Sequence, residues 1–214
     1  MEHLMRPYRV QKWGVATALF LFWLSLGITF VIFFEPLYHW SIQWFGVEKM
    51  TGYSADVLKT NYHELIGYLT NPLNDSLMMS NFTSSQQGLF HFFEVKRLFF
   101  INFAIFLSSG LVSFFGIRSL KQRRLTWLLR RPIRWLVLVP IFVCVGIASF
   151  FNTLFIKFHE LFFNNDAWIF DPKKDPIILA LPEEFFMVCF IVVFSILLLG
   201  LLGTNLLIKN LKEI

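Results

Sequence analysis

Two histidines beside carboxylates are the residues of this sequence best suited to moving protons. His91 lies in the stretch 90–96 (FHFFEVK) and His159 in the stretch 158–163 (FHELFF). On a helix, Glu94 is the i+3 neighbour of His91, so its carboxylate can orient the imidazole and stabilise the charged ring. Imidazole titrates near neutral pH, which suits it to general acid–base catalysis. The alternative interpretation is an interfacial histidine with a solvated acid nearby.

Metal chemistry has weaker support at the same positions. The zinc-protease pattern HExxH needs a histidine at position 163, where the sequence has Phe163. A different metal site stays open, in which the two histidines join an outer aspartate, but no ligand spacing defines it. The candidate aspartates are Asp166, Asp171 and Asp175. We therefore predict no metal and no cofactor.

Nucleophilic and nucleic-acid functions are also poorly supported. Ser84 and Ser85 are candidate nucleophiles, but no nucleophile elbow frames them. Cys144 and Cys189 fall inside apolar runs, where a thiol is usually a small buried hydrophobe. No glycine-rich phosphate motif is present, and the basic residues cluster beside apolar runs, so nucleic acid is an unsuitable partner.

The composition and the apolar runs indicate an all-α membrane protein. Hydrophobic residues make up 56% of the 214 residues, and the mean hydropathy is +0.60. A helix needs about 20 apolar residues to cross the bilayer. We predict a single membrane domain, 1–214, with four transmembrane helices and an extracellular helical cap. The predicted spans are residues 15–34, 98–117, 133–156 and 185–208. Pro140 should kink the third span because it removes a backbone hydrogen bond.

The distribution of charge predicts the orientation. The two termini and the linker 118–134 together carry 12 basic and 2 acidic residues, whereas segments 35–97 and 157–184 carry 7 basic and 12 acidic residues. Since basic loops stay on the cytoplasmic side, both termini should be cytoplasmic and the two acidic segments should face outward. Both His91 and His159 then lie on the outer side of the plasma membrane.

The outward segments carry their own patterns. Residues 53–69 have the apolar spacing of an amphipathic helix that ends at Asn71-Pro72, and residues 85–97 form a second piece that continues into the second span. We expect both helices to lie on the outer membrane surface with their apolar faces in the acyl region. A proline-pinned loop follows the third span, and one of its acids should support a histidine.

Three blocks of this sequence resemble the lipoprotein intramolecular transacylase family, Lit, of low-GC Gram-positive bacteria. They are residues 61–69 (NYHELIGYL), residues 89–96 (LFHFFEVK), and residues 158–163 continuing through Trp168 and the loop prolines to position 182. The resemblance covers nearly the whole chain. It implies transfer of the sn-2 acyl chain of a diacylglyceryl lipoprotein to the α-amine of its N-terminal cysteine, which leaves a lyso-form lipoprotein. It also implies that two histidines, His91 and His159, carry the reaction.

That reaction can be run without a covalent enzyme intermediate. An α-amine has a pKa near 8, so part of it is already nucleophilic at neutral pH. The enzyme must position the groups, accept a proton from the amine, protonate the glycerol oxygen and stabilise the oxyanion. We expect His159 to be the base and His91, with Glu94, to stabilise or relay charge, although the two roles can be exchanged.

Further residues are predicted to contact the substrate, which is a diacylated lipoprotein in membrane lipid. Lys96 or Arg97 can donate to the oxyanion or hold a carbonyl, or else each is an interfacial anchor. Within the blocks of resemblance, Tyr62, Trp168 and Asp171 are the other predicted binding positions.

Two functions of other classes remain. A membrane scaffold or assembly factor would bind a partner protein through the outer helices. A transporter is least favoured, because the four apolar cores hold almost no ionisable residue that would mark a translocation path.

Overall fold

The protein is all-helical over the residues that its structure describes. The structure is a computed structural model that describes residues 2–210, with side chains for residue 8 and for residues 10–210 other than 148. No strand occurs in this part of the chain. The helices are α1 (Glu2–Phe33), α2 (Pro36–Trp44), α3 (Val47–Thr51), α4 (Ala55–Thr70), α5 (Gln86–Gln122), a 3-10 turn (Thr126–Leu129), α6 (Arg130–Leu136), α7 (Leu138–Phe162), α8 (Ile177–Ala180) and α9 (Glu183–Asn210).

Helices α1, α5 and α9 are long and apolar enough to cross a membrane. A fourth span is obtained when the broken pair 126–147 and 149–162 is counted as one. The predicted all-α membrane fold is therefore confirmed, and three of its spans are continuous helices.

The third predicted span is interrupted twice. A helix boundary falls at Val137, so Pro140 lies in the first turn of α7, where its missing N–H costs little. The backbone leaves helical geometry again at Phe150, with φ −143° and ψ 35°. The sequence predicted the disturbance near the proline but not the one at Phe150.

The chain divides into two compact units. The first unit comprises residues 2–29, 102–145 and 191–210, and the second comprises residues 30–101 and 146–190. In the first unit, apolar side chains of α1, α5 and α9 form a buried core with the 3-10 turn and α6. Gly200 allows α9 to pack closely against Trp23 of α1, because a Cβ at this position would lie 2.2 Å from the Trp23 ring. The Trp23 indole also donates to the Thr204 hydroxyl at 3.1 Å.

The second unit contains the short helices between the long ones. Tyr38 of α2 stacks on Tyr62 of α4 with 4.0 Å between ring centres, and its hydroxyl donates to the Ala180 carbonyl of α8 at 3.0 Å. Helix α4 ends at Thr70, before the predicted Asn-Pro stop. Its apolar face is covered by protein, with Leu58 and Leu65 almost fully buried. The expectation that this face dips into lipid is therefore wrong.

Polar side chains of α4 fix the loop 71–85 that leads into α5. The buried Asn61 amide donates to the Asn81 side chain at 2.9 Å and accepts from the Asn81 backbone N–H at 3.0 Å. The Glu64 carboxylate accepts from both the backbone N–H and the hydroxyl of Ser80. This loop ends at Ser85, so α4 helps to set where α5 begins.

Candidate active site

The two predicted catalytic histidines lie together in the second unit. His91, in the second turn of α5, and His159, near the end of α7, have ring centres 5.9 Å apart, with 35° between the ring planes. Both side chains are buried. Both also lie outside the predicted membrane-spanning stretches 98–117 and 133–156. A single reacting centre can contact both rings at this separation.

The backbone fixes the tautomer of His159. Its Nδ1 lies 2.7 Å from the Phe155 carbonyl oxygen one turn earlier in α7. A carbonyl can only accept, so Nδ1 carries a proton and Nε2 holds the lone pair when the ring is neutral. Burial lowers the pKa of His159, while this hydrogen bond acts in the opposite direction. His159 is therefore set up as a neutral base that accepts at Nε2.

His91 is a neutral ring with an unused polar atom. Its Nδ1 is buried and has no hydrogen-bond partner within the described part of the chain. The pKa of His91 is lowered to about 4. Burial is the larger cause, and repulsion from His159, when that ring is protonated, is the smaller one. A buried ring nitrogen without a partner is costly, so it marks a position where a substrate atom can bind.

Aromatic rings enclose the pair. Trp168 stacks on His159, with 4.7 Å between ring centres and 27° between planes. Phe163 packs edge-on against His91 at 4.7 Å, and Phe170 does so at 5.4 Å. These contacts account for the desolvation of both imidazoles. They also place the predicted binding residue Trp168 in direct contact with a catalytic candidate.

Glu94 has a different partner from the predicted one. Its carboxylate accepts from the Asn165 amide, with both oxygens at 3.1 Å, and no hydrogen bond joins it to His91 in the structure. The Asn165 side chain in turn accepts from the backbone N–H of Ala167, next to Trp168. Glu94 thus anchors the loop that carries Trp168 rather than orienting the His91 ring directly.

The two predicted cations differ in their surroundings. The Lys96 ammonium donates to the Asn74 carbonyl at 2.6 Å and lies 4.4 Å from the centre of the Tyr68 ring. These contacts join α5 to the loop 71–85 and to the end of α4. Arg97 is exposed, so its guanidinium is accessible to a ligand.

Within the described residues, no hydrogen bond, ion pair or ring contact joins Tyr62 or Asp171 to either imidazole. Tyr62 is buried and packs on Tyr38 and, edge-on, on Phe185. Burial raises its pKa well above the usual range, so it stays a neutral phenol. Asp171 is exposed and forms a turn, in which its carboxylate accepts from the backbone N–H of Lys173 at 3.0 Å. Both residues have structural contacts of their own.

The prediction that an acid of the proline-pinned loop supports a histidine is wrong for Asp171 and Asp175, because Asp171 forms its own turn and Asp175 binds Ser85. Asp175 is 3% exposed, and its two oxygens accept from the backbone N–H and the hydroxyl of Ser85, each at 2.7 Å. The Ser85 hydroxyl also accepts from the Gly88 N–H at 3.0 Å, which caps the start of α5. A serine three residues before that N–H is a recognisable capping signal, but its aspartate partner is 90 residues away in sequence.

The metal alternative required His91, His159 and an outer aspartate to converge. Within the described residues, no three histidine, cysteine, aspartate or glutamate side chains come together in that way. Asp171 forms its turn and Asp175 binds Ser85. The two histidines are instead held as a close pair of neutral imidazoles, which can accept and donate protons.

Comparisons with known proteins agree on one family. The model of the family described as lipoprotein intramolecular transacylase Lit matches residues 14–186. The in meso structure of the membrane-integral transacylase Lit from Bacillus cereus is 28% identical to this chain, with a TM-score of 0.82 and coverage of 99% of this chain and 95% of that one. No curated protein matches the chain.

Two further structures of the Bacillus cereus protein carry a substitution of one histidine. The alanine variant has a TM-score of 0.86 and covers 99% of this chain and 97% of that one. The arginine variant has a TM-score of 0.85 and covers 97% and 93%. Both are 27% identical to this chain. From the family match over most of its length and these likenesses, the chain belongs to the lipoprotein intramolecular transacylase family of membrane enzymes.

Proposed function

We propose that this enzyme moves the sn-2 acyl chain of a diacylglyceryl lipoprotein to the α-amine of the same molecule's N-terminal cysteine. The product is an N-acyl, S-monoacylglyceryl lipoprotein. Family membership supports the substrate class. The observation that carries the proposal is the buried pair of neutral imidazoles, 5.9 Å apart, with Nε2 of His159 free to accept a proton.

The proposed reaction needs one proton to change places. The free amine attacks the ester carbonyl, forming the C–N bond and a tetrahedral intermediate with an oxyanion. Nε2 of His159 takes the proton that the amine nitrogen loses and then gives it to the glycerol oxygen as the C–O bond breaks. The products are an amide and a free hydroxyl, and the imidazole is neutral again. No second substrate and no water is consumed.

His91 is proposed to hold the developing charge. An imidazole with a proton on Nδ1 can donate to the oxyanion, and Nδ1 is the atom without a partner. The aromatic rings around it keep water away, which strengthens such a hydrogen bond. Trp168 stacks on the His159 ring and restrains its orientation.

The remaining predicted residues have supporting roles in this proposal. Glu94 acts as a positioning residue through Asn165, and exposed Arg97 is the cation that binds a polar part of the lipoprotein. The site is proposed to face outward, with both termini in the cytoplasm, because the charge distribution favours that orientation. The acyl chains then stay in lipid while the amine reaches the histidines.

Mass spectrometry of a lipoprotein N-terminus tests the proposal. Cells that express the wild-type chain should produce the lyso N-acyl form. His159→Ala should abolish it, and His91→Ala should reduce it by about 100-fold or more, the range expected for a lost proton-transfer or oxyanion group. Membrane levels of each variant are matched by immunoblot, so that loss of the protein is not mistaken for loss of activity.

His63→Ala is the matched control. The His63 side chain is 73% exposed, and its one ion pair among the described residues is with Glu35 at 2.9 Å, so its removal should leave the lyso form unchanged. An unaltered product in both His91→Ala and His159→Ala would reject the catalytic pair and favour a scaffold or assembly role. Equal loss in all three variants would show that the assay reports folding rather than chemistry.

A further inference from the structure

A basic cavity in the first unit has no part in the proposed reaction. It measures about 320 Å³ and is lined by Lys12 and Trp13 of α1 and by Arg131, Pro132 and Trp135 of α6. Two cations and two indoles therefore face one space. This lining is more polar than the predicted spans that follow it in the chain, which are almost entirely apolar.

Among the described residues, neither cation of this cavity has an acidic partner. Neither Lys12 nor Arg131 takes part in a salt bridge among the described residues, and no acidic side chain lines the cavity. The sequence explains why: no Asp or Glu occurs between Glu2 and Glu35, or between Glu94 and Glu160. Two positive charges that line one cavity, with no acidic partner among the described residues, favour an anion there.

The position of the cavity identifies the source of that anion. Lys12 directly precedes the first predicted span and Arg131 the third, so both lie at headgroup depth. Trp13 is 45% exposed and Trp135 is 58% exposed, as expected of indoles at the boundary between headgroups and acyl chains. A membrane phospholipid supplies both a phosphate for the cations and glycerol and acyl carbons for the indoles.

We propose that this cavity binds the headgroup phosphate of an anionic phospholipid. Lys12 and Arg131 hold the phosphate, and Trp13 and Trp135 contact the glycerol region. Basic pockets between transmembrane helices are a known type of site for anionic lipid headgroups. The lipid binds as a structural or regulatory ligand, separate from the lipoprotein substrate.

Native mass spectrometry of the full-length chain in detergent tests the site. The probe is dioleoylphosphatidylglycerol, titrated against wild type and against a Lys12→Gln/Arg131→Gln double variant. We expect the double variant to bind at least fivefold more weakly. The charge-retaining pair Lys12→Arg/Arg131→Lys should bind like wild type, which separates lost charge from a folding defect.

Arg118→Gln/Lys121→Gln is the matched control, because it removes two exposed charges nearby in sequence that do not line the cavity. It should retain wild-type affinity. Equal weakening in both Gln pairs would indicate a diffuse charge effect and overturn the site. Binding of zwitterionic dioleoylphosphatidylcholine as tight as that of phosphatidylglycerol, or displacement of the lipid by millimolar inorganic phosphate, would overturn the lipid assignment.

Discussion

At the scale of single residues, the site favours neutral imidazoles over charged ones. The rings of Phe163, Phe170 and Trp168 remove water from His91 and His159 and lower the pKa of both. A base for an amine must be unprotonated, so this desolvation serves the proposed chemistry. The sequence indicated the two histidines, whereas the burial of His91 comes from Phe163 and Phe170, about 70 to 80 residues later in the chain.

The first prediction concerns stability against pH. In the unfolded chain His91 protonates near pH 6.5, but in the folded chain only near 4, so the unfolded state binds more protons between these values. The free energy of unfolding should therefore fall as the pH drops from about 6.5 to about 4. In detergent, the Tm of wild type should decrease over this range more steeply than that of His91→Phe. Parallel Tm curves would contradict the assigned shift.

The second prediction concerns Glu94 and Asn165. If Glu94 acts by anchoring Asn165, then Glu94→Ala, Asn165→Ala and the double variant should lower turnover by similar amounts, because each removes the same contact. Glu94→Gln retains one acceptor oxygen and should keep most of the activity. These rates are measured on a synthetic diacylglyceryl lipopeptide.

A different pattern in these Glu94 and Asn165 variants would contradict the anchoring role. A Glu94→Gln variant as impaired as Glu94→Ala, with additive losses in the double variant, would show that the negative charge of Glu94 acts on His91. The role predicted from their i+3 spacing would then be restored.

At the scale of elements, the start of α5 determines where His91 lies. Ser85 caps the helix, Asp175 holds Ser85, and Phe170 packs on both His91 and Phe92. Helix α5 has 37 residues and is about 55 Å long, which exceeds the roughly 30 Å of hydrocarbon. Its first turns, which contain His91, precede the predicted span 98–117.

The third prediction follows from the closeness of this packing. A Cβ at Gly88 would lie 2.3 Å from Oδ1 of Asp175 and 3.1 Å from the Phe170 ring. Asp175 cannot swing away without losing Ser85, so Gly88→Ala should destabilise the fold by about 1–3 kcal/mol and reduce activity as Phe170 shifts from His91. Thermal melting and lipopeptide turnover measure the two effects.

Gly67→Ala provides the comparison. Gly67 is also helical, but a Cβ there meets nothing within 4 Å. Alanine should be neutral or stabilise α4, since it has the higher helix propensity. A Gly88→Ala protein with the melting point and turnover of wild type would show that the Asp175 contact does not constrain the site.

At the scale of the whole molecule, the spans were predictable because hydrocarbon excludes charge. The pairing of His91 with His159 was expected because the family resemblance implies two histidines and both residues lie at the ends of neighbouring spans. The partner of Glu94, the covered face of α4 and the break at Phe150 were not, because each depends on packing between segments far apart in sequence. Local spacing predicted a contact between Glu94 and His91. In the structure the Glu94 carboxylate accepts hydrogen bonds from the side-chain amide of Asn165 instead.

The fourth prediction concerns orientation. In a Cys144→Ala/Cys189→Ala background, a cysteine at exposed position Asp75 should react with a membrane-impermeant maleimide in intact cells, and one at exposed Gln122 should not. Both should react once the membrane is permeabilised. Labelling of the Gln122 site alone in intact cells would reverse the proposed topology and place the histidines inside.

The capping role of Ser85 has a consequence for inhibitor chemistry. Its hydroxyl is committed to Asp175 and Gly88, and no hydroxyl or thiol among the described residues bonds either imidazole. Electrophilic drugs that acylate a serine or cysteine activated by histidine would therefore have no such target among the described residues. Reversible compounds that mimic the tetrahedral intermediate should suit this site better. They would carry one hydrogen-bond acceptor for His91 and one donor for Nε2 of His159.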